Sequence, residues 1–186
     1  MKPRVIGFGH QARVGKDTAG RYLLYKIMGT KRRAFGDSIK EACAAIFGFT
    51  DAQLHGNMKE VVDPFWGVTP RSMLQRVGTE AIRNEVGKDV WVKSWESYLN
   101  NHSHFNRLWV VPDVRFPNEA DAVKRAGGIV VRIDRLAKLR DKVPDHESER
   151  ALIHYDDWDY VVNNDGRTLD SFFKKMDEFI EEFRLL

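Results

Sequence analysis

The chain has 186 residues, 42% of them hydrophobic, with a formal net charge of +3 and a pI of about 9.0. That length suits one domain with room for a small lid or insertion. The mild basic excess suits polyanionic small molecules and lacks the dense Lys/Arg block that would demand nucleic acid. The single cysteine, Cys43, excludes an intrachain disulfide and a cysteine-based zinc site. No signal peptide or membrane-length apolar run is read, which predicts a cytoplasmic protein.

The first predicted element is the short apolar strand Val5-Ile6-Gly7-Phe8. It leads into Gly15-Lys16-Asp17-Thr18 and a helix with apolar residues at Ala19, Tyr22, Leu23 and Ile27, stopped at Gly29. A strand, a glycine-containing loop and a lysine at a helix start form a P-loop for a nucleotide triphosphate. Backbone N–H groups wrap the phosphates, the lysine reaches the outer ones, and the helix N-terminus favours the anion. Arg13, Val14, Gly15, Lys16, Asp17 and Thr18 are therefore candidate nucleotide-binding residues. The loop departs from the pattern twice. His10 stands where a glycine is expected, with Gly9 one residue earlier, so the loop is read as one residue longer. Asp17 follows the lysine in place of Ser or Thr, so Mg²⁺ would be met by the Thr18 hydroxyl or by Asp17 through water.

Ser38 and Glu41 form a capping-box pattern ahead of Ile39, Ala42, Cys43, Ile46 and Phe47, with Gly48 as the stop. Residues 49–68 are less regular and contain two aromatics, Phe65 and Trp66. Thr69-Pro70 opens another helix, with Met73, Leu74, Val77, Ala81 and Ile82 as its apolar face and Gly87 as its stop. Arg71, Gln75, Thr79 and Arg83 recur every four residues along one side of it. Such a row can clamp a phosphate and read a base edge, or be a solvated face. Trp91 downstream either stacks on a base or fills the core.

The runs 108–111, 129–133 and 160–162 read as buried strands. Their lack of alternation implies two covered faces, as in a parallel sheet. Asp113 follows the first of these runs. Ligands of open parallel sheets sit beyond the carboxyl ends of strands, so Asp113 is expected to face the P-loop, with Arg115 close behind. Asn118 and Glu119 open a helix, where capping and substrate contact explain them equally well. Arg132, Arg135 and Arg140 are candidates for a lid arginine that neutralises a transferring phosphoryl group. His102 with His104, and His146 with Glu147 and Glu149, offer no convincing metal set. The turn at Asn163-Asn164-Asp165-Gly166 either touches a nucleotide base or is simply a turn. The final stripe of Leu169, Phe172, Phe173, Met176, Phe179, Ile180 and Phe183 is core. The α/β alternation predicts a doubly wound, three-layer fold.

Taken together, these segments resemble the phage-type deoxynucleoside monophosphate kinases, a branch of the P-loop nucleoside monophosphate kinases. The likeness spans most of the chain. It rests on GKDT at 15–18, FGDSIKEA at 35–42, RSMLQRVGTE at 71–80, PDVRFPNE at 112–119, GGIVVRI at 127–133, H-x-S-E at 146–149 and VNNDG at 162–166. The resemblance implies a single P-loop kinase domain over 1–186 with a mainly parallel central sheet. It also implies an acceptor-binding helical region at about 49–101 and a lid-like segment at about 135–150. It implies ATP as donor, Mg²⁺, and a deoxynucleoside 5′-monophosphate as acceptor. Lys16 would hold the donor phosphates, with Asn164 near the nucleotide. Ser38, Lys40, Arg71, Gln75, Thr79, Trp91, Asp113 and Arg115 would approach the acceptor, and Lys16, Asp113, Arg115 and Arg132 would serve catalysis. No membrane or stable nucleic-acid partner is implied, and a homodimer is compatible with the family.

Such a transfer needs no strong general base, because the acceptor phosphate oxygen is already ionised near neutral pH. Two other readings stay open. One is a P-loop kinase for another small acceptor, such as dephospho-coenzyme A. The other is a nucleotide-dependent binding or switch ATPase. No N-K-x-D guanine-reading motif is present, which counts against a GTPase switch. A nucleic-acid module would need a basic stripe with interleaved aromatics, and none is evident.

Overall fold

A computed structural model describes residues 3–102, 107–135, 146–165 and 167–186. His104, Arg140, Gly166 and most of the expected lid segment lie outside the described residues. The chain forms two compact units, Met1–Ala34 with Leu99–Leu186, and Phe35–Tyr98.

The first unit is built on a five-stranded sheet of β1 (Val5–Gly9), β2 (Lys31–Arg32), β3 (Trp109–Val114), β4 (Ile129–Asp134) and β5 (Tyr160–Asn163). The strand order is β2-β3-β1-β4-β5 and every pairing is parallel. Strand β2 has only two residues, both exposed and basic, so no hydrophobic run announces it in the sequence. Parallel neighbours need crossovers, and helices α1 (Lys16–Lys26), α6 (Pro117–Arg125) and α7 (Leu169–Glu182) cover the sheet. Ile6 and Phe8 of β1 pack with Leu23 of α1 and with Phe172, Met176 and Phe179 of α7. The Tyr22 hydroxyl ties these two helices together by donating to Asp177 Oδ1 at 2.8 Å. The opposite face of β1 carries Gly7. A Cβ there would lie 2.9 Å from Val114 and 3.0 Å from Val123, so the glycine lets α6 close onto the sheet. Helices on both faces explain why β1, β3 and β4 read as continuous apolar runs. Strand β5, expected to be buried, is an edge strand with Val161 exposed. Leu169 departs from the expected stripe. It stands at the first residue of α7 and is exposed.

The second unit contains α2 (Asp37–Phe47), α3 (Asp51–Leu54), a 3₁₀ turn at Asn57–Glu60, α4 (Pro70–Gln75), a π-helix at Arg76–Arg83 and the start of α5 (Val90–His102). Its core gathers Cys43, Phe49 and Leu54, with Ile39, Phe47, Met73, Leu74 and Val77 packed against them. Burial pushes the Cys43 thiol up to about 11. The expected capping box at Ser38 is not formed. Gly36 occupies the N-cap position, and the Ser38 hydroxyl pairs with that of Ser94 at 2.8 Å. Ile46, expected on the apolar face of α2, is exposed.

The helix expected after Pro70 changes type midway. Thr69 caps α4 by accepting from the N–H of Ser72, and six residues later the winding becomes π. An i→i+5 bond puts more residues into each turn, which shifts the faces relative to an α-helix. Gly78, Thr79 and Arg83 become the buried positions, and Ala81, expected to be apolar core, is exposed. Gly78 permits this, because a Cβ there would lie 2.9 Å from Ile39.

Met176 is fully buried at the centre of the first unit's core. Met176→Ala is expected to cost about 2–5 kcal/mol of stability in urea unfolding. A loss below about 1 kcal/mol would show that the site collapses around the deletion.

Candidate active site

Strand β1 is the centre of the sheet, with β3 and β4 on either side. Its loop therefore opens at the carboxyl edge, where the ends of β3, β4 and β5 converge. The loop backbone is unusual. His10 and Arg13 adopt positive φ angles of 89° and 61°, and Gly15 lies at 114° as the N-cap of α1. Gly15 brings no side chain to cap the helix, so no N-cap side chain competes for the first-turn N–H groups. A chain bent this way, ahead of a helix N-terminus, forms an anion cradle.

Three neighbours hold the loop. The Asn164 amide, just beyond β5, donates to the Val14 carbonyl at 2.8 Å in a buried position. His10 Nδ1 lies 3.0 Å from Asp134 Oδ1 at the end of β4, and burial lowers the imidazole pKa. The ring of Trp158 covers Gly9 so closely that a Cβ there would meet it at 2.7 Å. Asn164, expected at the nucleotide, thus has its amide engaged with the loop backbone. Arg132 lies within β4 itself rather than on a lid, and its Nε and Nη2 donate to the Asp134 carboxylate.

Lys16 is buried, and its ammonium donates to the carbonyls of His10, at 3.0 Å, and Gln11. Burial, then the nearby Arg115 charge, lowers its pKa to about 8, while Glu149, Asp17 and Asp113 oppose the drop. Of the other loop-end residues, Arg13 and Asp17 are exposed and Thr18 is half-buried.

Asp113 sits on a bulge. Gly7 pairs with Val111 and Gly9 with Val114, so Phe8 is opposed by two residues, Pro112 and Asp113. Bulges of this kind re-aim side chains at sheet ends. Arg115 follows, with its Nη1 on the carboxylate of Glu149. Glu119 is buried at the start of α6, where its Oε2 accepts from the N–H groups of Arg115 (2.7 Å) and Phe116 (3.2 Å). Burial pushes Glu119 up to about 8, the neighbouring Asp113 charge adds to the rise, and the two N–H donors oppose it. Lys16, Asp113 and Arg115 are thereby brought into one electrostatic neighbourhood. Glu149, Asp134 and Trp158 complete it. The sequence marks Glu149 within the H-x-S-E run without a role, and it passes over Asp134 and Trp158, whose partners lie far away in the chain.

The remaining expected residues lie in the second unit. Arg71 pairs with Glu60, and Gln75 stands one turn further along α4. Lys40 reaches His55 Nδ1 at 3.3 Å and lies 3.9 Å from Asp37. Thr79 is buried in the π-helix. Arg83 does not extend the row as a solvent-facing clamp. It is buried, and its Nη1 donates to the Lys88 carbonyl. Trp91 donates from Nε1 to the Gly78 carbonyl at 2.7 Å, satisfying a π-helix oxygen.

The raised Glu119 pKa gives a test of this geometry. A proton held in the fold and absent from the unfolded chain makes stability fall as pH rises. The unfolding free energy of wild type minus that of Glu119→Gln should therefore decline between pH 4.5 and 8. Denaturant titrations across that range measure it, and a pH-independent difference would mean that Glu119 is ionised in the fold.

The family model described as deoxynucleotide monophosphate kinase matches residues 49–176. A putative deoxynucleotide monophosphate kinase of Acanthamoeba polyphaga mimivirus is 34% identical over 178 residues, covering 87% of this chain and 88% of that protein. The deoxynucleotide monophosphate kinase of Enterobacteria phage T4 is 30% identical over 116 residues, covering 62% of this chain and 46% of that protein. A crystal structure of shikimate kinase from Bacteroides thetaiotaomicron aligns over 97% of this chain and 98% of its own, at 16% identity and a TM-score of 0.49. No described helix is long and apolar enough to cross a membrane. With a parallel sheet, a phosphate loop at its carboxyl edge and these sequence matches, the chain belongs to the deoxynucleotide monophosphate kinase family.

Proposed function

We propose that this protein transfers the γ-phosphoryl group of ATP to a deoxynucleoside 5′-monophosphate, giving the diphosphate and ADP. The observation that carries this reading is the buried Lys16 ammonium, resting on loop carbonyls within the charge field of Arg115 and Asp113. The loop amides would bind the donor phosphates. Lys16 would leave the His10 and Gln11 carbonyls for the outer phosphates. Arg115 would neutralise charge between donor and acceptor. Arg132 would act chiefly by fixing Asp134 against His10, and Asn164 by holding Val14. Arg71 and Gln75 would recognise the acceptor, with Ser38, Lys40, Thr79 and Trp91 shaping that region of the second unit.

Magnesium suits this donor set. Among the described residues, no three His, Cys, Asp or Glu side chains form a metal cluster. Thr18 and Asp113, with Asp17 through water, offer the few hard oxygens that Mg²⁺ takes when phosphates and water supply the rest. When bound, the ion would supply positive charge that offsets the charge of the donor phosphates. An acceptor phosphate oxygen attacks the γ-phosphorus, and the bond from that phosphorus to the β–γ bridging oxygen breaks. The nucleophile is already an anion, so the residues supply alignment and positive charge rather than a base.

ADP release from ATP and Mg²⁺ with each deoxynucleoside monophosphate in turn tests the reaction. Acceptor-dependent release is expected, and Lys16→Ala should lower it by about a hundredfold or more with the fold retained. Acceptor-independent release would mean an ATPase or switch. ATP binding without release would mean another acceptor class.

A polyanion on Lys16 should also restore its affinity for a proton. Binding should then take up protons between pH 8 and 10.5, the values for the buried and the free ammonium. Calorimetry in two buffers of different ionisation enthalpy should show this uptake in wild type and its absence in Lys16→Met. Equal uptake in both would remove Lys16 from the phosphate site.

A further inference from the structure

We propose that Glu149 is a positioning residue that fixes the Arg115 guanidinium for phosphate, a role resting on the reading of Arg115 given above. Arg115 is held at both ends. Its backbone N–H donates to Glu119 Oε2 at 2.7 Å, and its Nη1 meets Glu149 Oε1 at 2.5 Å. The exposures of the pair are unequal. The Glu149 side chain is only 7% exposed, while that of Arg115 is 36% exposed. The carboxylate is thus set into the protein, and the arginine it holds stays open to a ligand. A guanidinium has five N–H donors in a planar fork, and Glu149 engages one nitrogen. An arginine already restrained gives up less rotamer freedom when it grips a phosphate.

The same arrangement explains the H-x-S-E run at 146–149. Glu149 ends a 3₁₀ turn, Glu147–Glu149, whose N-cap is His146. His146 Nδ1 accepts from the Ser148 N–H at 3.3 Å and pairs with the Ser148 hydroxyl at 2.8 Å. The Glu149 N–H donates to the His146 carbonyl at 2.9 Å. Histidine and serine therefore shape a rigid turn, and glutamate is the group that the turn delivers. Its negative charge also stands near Lys16, favouring the ammonium form that Arg115 disfavours. Glu149 lets the two cations stay side by side.

A double-mutant cycle tests this on the full chain, with ATP and the preferred monophosphate as substrates. Arg115→Ala, Glu149→Ala and the double variant are compared by kcat and by KM for each substrate, with thermal melts to monitor the fold. Glu149→Ala is expected to lose about tenfold to a hundredfold in kcat over the acceptor KM. Its KM for ATP should change less than that for the acceptor, and the double variant should be no worse than Arg115→Ala. Glu149→Asp should recover part of the loss. Glu149→Gln keeps the shape if the alanine variant fails to fold, and should show the same coupling. Losses that simply add would overturn the proposal. So would an acceptor KM that falls in Glu149→Gln, which would make Glu149 a competitor of the phosphate. Full activity in Arg115→Ala would instead overturn the underlying reading of Arg115, and the proposal with it.

Discussion

Two cations share a low-dielectric patch at the carboxyl edge of the sheet, and much of the first unit serves to keep them there. Lys16 is penalised by burial and again by Arg115. The backbone offsets part of this through the carbonyls of His10 and Gln11, and Glu149, Asp17 and Asp113 favour the charged form from a distance. Arg115 is balanced by Glu149 and by the nearby Asp113. Such a patch can take a stronger partner, because neutral carbonyls hold an ammonium less tightly than anionic phosphate oxygens do.

Holding the patch in place requires a loop that does not relax. Positive φ at His10 and Arg13 is disfavoured for residues with a Cβ and persists only where the surroundings over-determine it. Here the surroundings come from distant parts of the chain. Asp134 on β4, Asn164 beyond β5 and Trp158 before β5 all bear on the short stretch Gly9–Val14. The histidine that replaces an expected glycine thus has a structural reason. Its imidazole reaches a carboxylate that a glycine could not, and Arg132 holds both oxygens of that carboxylate.

What was legible in the sequence divides along physical lines. The strands 5–8, 108–111, 129–133 and 160–162 are apolar on both faces, and β1, β3, β4 and β5 lie where those runs do. The lysine after a glycine marked the loop, and Asp113 with Arg115 followed from the rule that ligands sit at strand ends. The rest depended on contacts with no local signature. Periodicity of four in Arg71, Gln75, Thr79 and Arg83 marks one side of a helix but not what that side faces, and Thr79 and Arg83 are buried. Ser38 had the composition of a cap but not its place, since the cap falls two residues earlier, at Gly36. Arg132, expected as a lid arginine, lies within β4, where alternation sets it on the same face as Asp134 and the two pair.

Cys43 adds one more consequence. It is the only thiol in the chain, it is fully buried in the core of the second unit, and its ionisation is pushed up to about 11. A thiol-reactive dye attacks the thiolate, so it can label this protein only after that core has opened. Labelling rate is therefore a clock for the opening of the helical unit alone, silent to events in the sheet. The wild-type sequence already contains the probe that would time that opening with and without nucleotide.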